Sequence, residues 1–512
     1  MNSEITLDAI RAVTPVILLF GMAMVILVAD LFRGKSAAGS APAMSPVLHL
    51  LAVSGCVLAG VGVLAGWDAP AGVFFSGAIR VERFARAFSS FIVLGAFLTT
   101  LAAPGYLRRK RIEDGEFHAL VLLAAGAMVL LAQSNNLIMI FLSLETFSMA
   151  VYALAGLTRD EKRSVEGALK YLILGGLSGG FLLLGLAFIF GATGEIRLDL
   201  MAGRSFDPPL FLAGSVLVLV GFGFKLGAFP FQSWIPDVYE GAPTLVTGFM
   251  AVAVKASGFA ALIRIALVMV DAAPPEAKTT LISVLSWLAA LTCIFGNFVA
   301  IAQSSAKRML AYSGIAHTGY LLIGLVAALS MKEPKYLDGR GAALVFYFLP
   351  YTLMTCGAFA VIAHIGHGAQ DGETFEAFRG LSKRRPLAAL CMLIFMVSLA
   401  GIPPTAGFWA KLYLFGEAVA AERWDLALVG IATSIVAAYY YLRVVVMMYM
   451  APDRAPIGLP ASAGPLPLPE TRGAWAIPAV FGLSAVGIAV IGFFPSGLLS
   501  GSVRSIETLL RR

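Results

Sequence analysis

The chain has 512 residues, of which 59% are hydrophobic and only 13% are charged, and its mean hydropathy is +0.86. A soluble protein carries about 25% charged residues, so this composition excludes a soluble globular protein. Apolar runs of about 18 residues or more recur along the chain, which is typical of membrane-spanning helices. The net charge of +7 gives no reason to expect nucleic acid, because the basic residues cluster in short loops. The composition predicts an all-α polytopic membrane protein surrounded by lipid.

Sequence motifs for cofactors and metals are missing. The four cysteines are scattered, mostly inside apolar runs, at Cys56, Cys293, Cys356 and Cys391. No CxxC or Cys/His spacing occurs, which argues against an iron–sulfur cluster or a zinc site. No glycine-rich nucleotide motif follows a strand, and no Walker motif occurs. We therefore predict no cofactor and no metal in this chain. The first residues lack the basic start of a secretory signal, so no cleavable signal peptide is predicted.

About fourteen apolar segments can be counted along the chain. They lie near 9–32, 46–66, 84–104, 116–133, 135–156, 166–192, 209–231, 243–271, 280–302, 309–330, 342–366, 387–419 (with a break), 425–449 and 474–499. The connections between them are mostly short, and none is long enough for a separate soluble domain. We therefore predict a single membrane domain over residues 1–512.

The basic loops predict how the chain is oriented. With the segments above, four basic runs fall on one side, and they are Arg108 to Arg111, Arg159 to Arg163, Lys307 with Arg308, and Lys383 to Arg385. Short loops rich in Lys and Arg are typically cytoplasmic. Both termini would then lie on the opposite, periplasmic side. The bias is moderate, because the other side also carries basic residues, at Arg80, Arg83, Arg86, Lys332 and Lys335.

The seventh segment combines two features that are costly inside a membrane. Lys225 lies within its apolar run, and a lysine near the middle of the hydrocarbon costs about 2.5–3.5 kcal/mol on insertion scales. Five residues later, Pro230 removes a backbone donor and interrupts the helix. A broken helix at membrane depth is tolerated where it is buried in protein or lines a wet cavity. Lys225 is therefore a candidate ion or proton site.

The twelfth segment repeats this combination. It carries Pro403 and Pro404, with Lys411 shortly after them. Lysine-bearing helices that are interrupted at corresponding places in two halves indicate an inverted-repeat transporter. We predict N-terminal helices 1 to 3 in 1–115, repeat one (helices 4 to 8) in 116–271, repeat two (helices 9 to 13) in 280–449, and helix 14 in 474–499.

Glu145 lies near the centre of the fifth segment. A carboxylate at membrane depth is a functional candidate by default, and its predicted partner is Lys225, two helices further on. Burial favours the neutral form of each group, whereas pairing favours the charged forms. A pair balanced between these effects can change its charge when a neighbouring charge changes. The alternative is a structural carboxyl group hydrogen-bonded to Ser143 or Thr146.

Three further lysines lie in apolar segments. Lys255 is midway along the eighth segment, where snorkelling to the interface, the alternative interpretation, would be costly. Lys411 lies beside a helix break, which favours a function. Lys170 is closer to the start of its segment, so snorkelling explains it better and it remains a secondary candidate.

His317 opens the tenth segment and is the histidine candidate. Its side chain titrates near neutral pH, and Ser313, Thr318 and Tyr320 are close to it in sequence. A lone histidine is more often a satisfied polar residue than a ligand, so both interpretations remain open.

Other charged residues carry weaker signals. Asp237 and Glu240 follow the break of the seventh segment, where capping and loop ordering explain them adequately. Arg264 and Arg443 have no obvious partner in the sequence and are left unassigned.

The buried candidates together suggest a proton relay. An acid, bases and a histidine in an apolar protein suit proton transfer through side chains and trapped water. The candidates are Glu145, Lys225, Lys255, His317 and Lys411. Nothing in the chain holds an electron carrier. The energy would therefore come from an ion gradient or from redox partners in other subunits.

Several motifs resemble one family. FQSWIPDVYEGAP, VAVKASGF, AYSGIAHTGY and GIPPTAGFWAKLYLF are similar to the N-type antiporter-like membrane subunits of respiratory complex I, and ETFSMAVYALAG and EGALKYLILGG also fit. The resemblance extends from about the fourth to the thirteenth segment. It implies fourteen helices, inverted five-helix repeats with broken helices 7 and 12, and a proton channel coupled to quinone reduction elsewhere in the complex.

The resemblance also assigns roles by position. Glu145 and Lys225 would be the coupled pair, Lys255 the connecting lysine and Lys411 the residue toward the far exit, and His317 matches the histidine of the tenth helix. It implies a bacterial inner membrane location. It further implies neighbours of the M-type and small membrane subunits, with NAD, FMN, iron–sulfur clusters and quinone in partner subunits.

Related subunits share this fold, so alternatives remain. L-type and M-type subunits and multisubunit cation/proton antiporters usually have a histidine-rich stretch where this chain has TLVTGFMAVAVKAS, and M-type chains usually carry glutamate at Lys411. L-type chains extend into a long lateral helix. Leu245 departs from the proline usual in the family. The N type is favoured, with a cation/proton antiporter subunit as the alternative and a purely structural scaffold as a third.

Overall fold

The computed structural model describes residues 6–33, 45–201, 207–331, 340–366, 372–452 and 475–510. Most of these residues are helical, because a backbone inside lipid must satisfy its hydrogen bonds within each segment. The α-helices are α1 Leu7–Leu31, α2 Pro46–Ala65, α3 Arg83–Lys110, α4 Asp114–Gln133, α5 Leu137–Ala155, α6 Lys162–Thr193, α7 Leu198–Met201, α8 Pro208–Leu226, α9 Trp234–Gly241, α10 Thr244–Phe249, α11 Lys255–Ala272, α12 Pro275–Ile301, α13 Ala306–Ser330, α14 Ala342–Ile365, α15 Leu381–Arg384, α16 Pro386–Ala400, α17 Ala406–Ala420, α18 Trp424–Tyr449, α19 Ala476–Phe493 and α20 Pro495–Leu510.

The predicted number of crossings is confirmed. Within the described ranges, 13 helices are long and apolar enough to span a membrane, with α10 and α11 counted as one. The pair α16 and α17 supplies a further crossing in two halves, which gives fourteen. The helices α10, α11, α13 and α14 are buried at the centre, whereas α1 and α2 expose most of their surface at the periphery.

Both predicted helix breaks are present. The helix α8 ends at Gly227, whose φ is 70°, and α16 ends at Gly401, whose φ is 85°. Glycine takes this left-handed conformation without steric cost, so each glycine ends its helix before the proline is reached. The helices α9 and α17 continue the two crossings after Pro230 and after Pro403–Pro404.

Direct contacts join the four basic runs at one face. Lys110 lies 3.3 Å from Glu161, and Arg109 donates to the carbonyl of Ala363 at 2.7 Å. Arg385 donates to the carbonyl of His364. The Arg163–Glu240 and Glu240–Arg308 pairs, at 3.9 and 2.8 Å, link the second run to the third. We call this face the basic face. Helix α1 begins at the opposite face, and α19 ends there, where α20 holds the last described residues.

Three elements of the structure were missed by the sequence analysis. The short strands β1 Gly72–Phe74 and β2 Ile79–Val81 form an antiparallel hairpin with Val73 opposite Arg80. A short π-helix, Met250–Val254, lies between α10 and α11. The last predicted segment, 474–499, covers parts of two helices, because α19 ends at Phe493 and α20 begins at Pro495. Helix α20 is amphipathic and packs against α3 and α14. It buries four residues at helical spacing, which are Ser502, Ser505, Ile506 and Leu509.

Candidate functional site

Lys225 lies in the last turn of α8 and is only 2% exposed. Its ammonium group donates to Ser148 Oγ and to Tyr152 OH, both at 2.8 Å. Ser148 and Tyr152 are four residues apart on α5, so they share one face of that helix. The rings of Tyr152 and Tyr171 lie 5.1 and 6.0 Å from the ammonium nitrogen, which adds cation–π attraction. Lys225 is thus held by neutral groups.

Glu145 lies on the same face of α5, three residues before Ser148. It forms no ion pair with Lys225 in the described structure, and the two side chains interact only at longer range. Gly179 on α6 makes room for the carboxyl group, because a Cβ there would lie 2.6 Å from Oε1. That oxygen is buried and has no hydrogen-bond partner within the described part of the chain. The side chain as a whole is half-buried, at the edge of the bundle.

The structural alternative for Glu145 finds no support in its neighbours. Thr146 donates its hydroxyl to the carbonyl of Leu142 at 2.7 Å, and Ser143 Oγ has no partner in the ranges that the structure describes. Neither hydroxyl binds the carboxyl group.

Lys255 begins α11 directly after the π-helix and is 2% exposed. Single π-turns are frequent at functional sites, because the extra residue re-aims the side chains that follow. The ammonium group donates to the carbonyl of Gly314 and to Tyr351 OH, the latter at 3.4 Å. Lys255 therefore reaches α13 and α14 at the centre of the bundle.

His317 is 1% exposed, and tyrosines bind both of its ring nitrogens. Nδ1 lies 2.7 Å from Tyr347 OH, and Nε2 lies 3.1 Å from Tyr441 OH. Its ring also packs 5.0 Å from that of Tyr351, the residue that binds Lys255. The two nitrogens must take different roles in neutral imidazole, so this arrangement can pass a proton from one side of the ring to the other.

The predicted neighbours of His317 have different roles. Ser313 reaches the histidine only through Tyr441, to which it is hydrogen-bonded, and Tyr320 makes an edge contact with the ring. Thr318 donates at 2.8 Å to the carbonyl of Leu226, next to Lys225, and at 3.3 Å to that of Gly314. It therefore links the end of α8 to the carbonyl that binds Lys255.

Lys411 lies in α17, after the second helix break, and is 6% exposed. Its ammonium group donates to the carbonyls of Leu399 and Ala400, at 3.0 and 3.2 Å, which are the last carbonyls of α16. The C-terminus of a helix attracts positive charge. The ring of Tyr320 lies 5.2 Å from the nitrogen and so separates Lys411 from His317.

Lys170 is not part of this buried row. Its side chain is 43% exposed on the basic face and pairs with Glu166 at 2.8 Å and with Asp237 at 3.0 Å. Arg308 binds both Asp237, at 3.1 Å, and Glu240, at 2.8 Å. These contacts fit the loop-ordering interpretation of the two acidic residues.

The two unassigned arginines have partners in the structure. Arg264 is buried and lies 2.6 Å from Glu82, a buried acid 182 residues earlier in the chain. Arg443 donates to the carbonyl of Gln303 at 3.1 Å and lies over the ring of Phe375 at 4.2 Å.

Among the described residues, no group of three or more His, Cys, Asp or Glu residues could hold a metal ion.

Sequence reasoning missed the hydroxyl groups that connect the candidates. These are Ser148, Tyr152, Tyr347, Tyr351 and Tyr441. A signal existed in the spacing, because two pairs of them are four residues apart within apolar helices and so present two hydroxyls on one face. The sequence did not show which lysine or histidine each hydroxyl would face.

Comparisons with known proteins identify the family of the chain. A model of the family "NADH:quinone oxidoreductase/Mrp antiporter, TM" matches residues 134–437. The chain is 40% identical to NADH-quinone oxidoreductase subunit N 1 of Herpetosiphon aurantiacus over 477 residues, which cover 91% of each chain. It is 37% identical to subunit N of Trichlorobacter lovleyi over 506 residues, which cover 98% of this chain and 97% of the relative.

Solved structures are similar over nearly the whole length. A chain of respiratory complex I from Thermus thermophilus with bound Aureothin is 35% identical, with a TM-score of 0.77 over 96% of this chain and 99% of that one. A chain of the Mrp complex from Dietzia sp. shares the fold at 19% identity, with a TM-score of 0.77 over 98% of this chain and 96% of that one. With identities of 35–40% over at least nine-tenths of its length, the chain belongs to the antiporter-like family of NADH-quinone oxidoreductase N subunits.

Proposed function

We propose that this chain is the proton-translocating membrane subunit N of an NADH-quinone oxidoreductase, and that its buried lysines and histidine carry the protons. The relatives named subunit N, which match it at 37–40% identity over nearly its whole length, support the first part. The arrangement of Lys225, Lys255, His317 and Lys411 supports the second. The redox chemistry, with NAD, FMN, iron–sulfur clusters and quinone, belongs to partner subunits.

One observation carries the relay. Lys225, Lys255 and Lys411 are each no more than 6% exposed, and none forms an ion pair among the described residues. Their ligands are hydroxyl and carbonyl oxygens. A buried ion pair can be retained for packing, whereas an ammonium group buried without a counter-ion is costly. Neutral ligands allow such a group to be either charged or neutral, which a proton carrier requires.

Charge coupling between the groups would transmit a change of charge along the relay. Two unit charges about 10 Å apart interact by roughly 1.7 kcal/mol at an effective dielectric constant of 20. That energy changes the proton affinity of a neighbouring group by more than tenfold. A change of charge at Glu145, at the edge of the bundle, would therefore alter the proton occupancy of Lys225. Lys225 would in turn influence Lys255.

Contacts among the described residues support an order for the groups along the route. Thr318 and the carbonyl of Gly314 connect the end of α8 to Lys255, and Tyr351 lies between Lys255 and His317. Carbonyl oxygens accept hydrogen bonds but release no proton, and Tyr320 meets Lys411 with its ring, so trapped water must complete these steps.

The predicted organisation extends this proposal. The broken crossings α8–α9 and α16–α17 would be equivalent elements of two inverted repeats, over 116–271 and 280–449. The basic face would be cytoplasmic and the termini periplasmic, in a bacterial inner membrane. Glu145 would face an adjacent membrane subunit, such as an M-type or a small membrane subunit, because it is the one member of the proposed relay that is half-buried and not buried.

The cation/proton antiporter remains the second candidate, because the matching family model is named for both kinds of complex. The Mrp chain is similar only at 19% identity, which supports a shared fold and no more. Purification of the native complex separates the two. Association with flavin and iron–sulfur subunits supports the first function, and cation-dependent proton exchange without any redox subunit supports the second.

Replacement of Lys225 by alanine tests the relay. In an assembled complex in vesicles, we expect Lys225→Ala to lower proton pumping and the quinone reduction coupled to it by about tenfold or more, because the carrier is lost. Lys170→Ala is the matched control, since that lysine of the same repeat lies on the basic face, and it should pump normally. Full pumping by Lys225→Ala at normal assembly would contradict the relay.

A further inference from the structure

A fully buried carboxyl group lies beyond Lys411. Glu417 is in the last turn of α17 and is 0% exposed. It is the only acidic or basic side chain between Lys411 and the end of that helix. Six residues of helix separate the two, which is a rise of about 9 Å toward the face opposite the basic face. Glu417 therefore lies between Lys411 and that face.

The two oxygens of Glu417 have different surroundings. Oε1 accepts the backbone N–H of Ala343, in the first turn of α14, at 3.0 Å. The residue that caps α14, Gly341, has no side chain to satisfy this turn, so Glu417 acts in its place. Oε2 is buried and has no hydrogen-bond partner among the residues that the structure describes. Capping α14 therefore uses one oxygen and leaves the other available.

This environment can hold Glu417 in either protonation state. The N-terminus of α14 favours the carboxylate, because the first backbone N–H groups carry partial positive charge. Complete burial favours the neutral acid. A buried polar atom without a partner calls for an unseen water molecule or a transferable proton. Since Leu414 and Leu344 are apolar side chains in this region, a proton from Lys411 would need water to reach Oε2.

We propose that Glu417 is a further proton-carrying residue, which takes the proton from Lys411 and releases it at the opposite face. This inference rests on the proposed function. The Lys411 ammonium gives one proton, through water, to Oε2 of the Glu417 carboxylate, leaving a neutral amine and a neutral acid. The acid then releases the proton to water at the opposite face and becomes a carboxylate again. Lys411 is recharged from the side of His317.

Glu417→Gln tests this proposal in the assembled complex in vesicles. Glutamine keeps the size of the side chain and an oxygen that can accept from Ala343, but it cannot carry a proton. We expect normal assembly and thermal stability, with proton pumping lowered at least threefold. The infrared C=O band of a protonated carboxylic acid, formed during turnover of the unmodified complex, should also be lost.

If Glu417→Gln pumps normally while Lys225→Ala does not, Glu417 is only a helix cap. That result would overturn this inference but not the proposed function. Normal pumping by both variants would instead overturn the proposed function. If Glu417→Gln does not assemble, proton pumping by Glu417→Asp is the test of the inference. A shorter acid should slow pumping per assembled complex, whereas a cap changes only the amount assembled, so unchanged pumping per complex would again overturn the inference.

Discussion

The two broken crossings hold their lysines in different ways. In the first, Lys225 precedes the break, and side-chain hydroxyls from a different helix bind it. In the second, Lys411 follows the break, and the backbone carbonyls of its own preceding half-helix bind it. The halves also differ in length, with 19 and 8 residues in the first crossing and 15 and 15 in the second.

This difference indicates different roles. Hydroxyl groups both donate and accept, so Ser148 and Tyr152 can bind Lys225 in either of its protonation states. Backbone carbonyls only accept, and the end of α16 stabilises the charged lysine. Lys225 is therefore suited to switching in response to a neighbouring charge, and Lys411 to holding a proton until it can be released. In both crossings, the break makes polar backbone available inside the membrane.

The largest expected effect comes from replacing each lysine by arginine. Arginine keeps the positive charge but does not deprotonate in proteins. We expect Lys225→Arg and Lys411→Arg each to lower pumping by about tenfold or more at comparable assembly, if both sites exchange protons. Vesicle pumping assays measure this, with Lys278→Arg, at the start of α12, as the control. A variant that pumps normally would show that its lysine is a fixed charge. The role assigned above to that lysine would then be wrong.

A smaller effect is expected from removing the hydroxyls around Lys225. Each hydrogen bond to a charged group contributes about 1.5–3 kcal/mol. The double variant Ser148→Ala with Tyr152→Phe should therefore lower pumping about fivefold, because the charged form of Lys225 loses both polar partners. Tyr439→Phe, at an exposed tyrosine of α18, is the control and should have no effect. The double variant would contradict the switching role of Lys225 if its pumping matched that of the control.

The smallest expected effect comes from replacing the glycine at each helix break by alanine. The two replacements should affect proton pumping differently. Gly227 and Gly401 both have positive φ, so alanine at either costs about 1–2 kcal/mol of backbone strain. A Cβ at Gly401 would lie 3.0 Å from Lys411 Cδ, whereas a Cβ at Gly227 would meet the side chain of Ile235. We expect Gly401→Ala to lower pumping per complex about twofold, and Gly227→Ala to lower only thermal stability. Equal pumping by the two variants would show that the second break does not position its lysine.

The sequence predicted the architecture because the signals for it are local. Long apolar runs determine the crossings, since each helix satisfies its own backbone hydrogen bonds in lipid. Lys225 near Pro230, and Lys411 near Pro403 and Pro404, predicted both breaks. Charged residues in apolar runs identified the buried candidates, because the cost of burial limits such residues to sites that need them.

The tertiary structure decided the partners of these residues, because helix packing brings together positions that are distant in the chain. Ser148 binds a lysine 77 residues away, Tyr441 binds a histidine 124 residues away, and Glu82 binds an arginine 182 residues away. Hydropathy carries no information about which helix faces meet. The sequence therefore determined which groups lie in the membrane, and only the packed bundle determined which of them can exchange a proton.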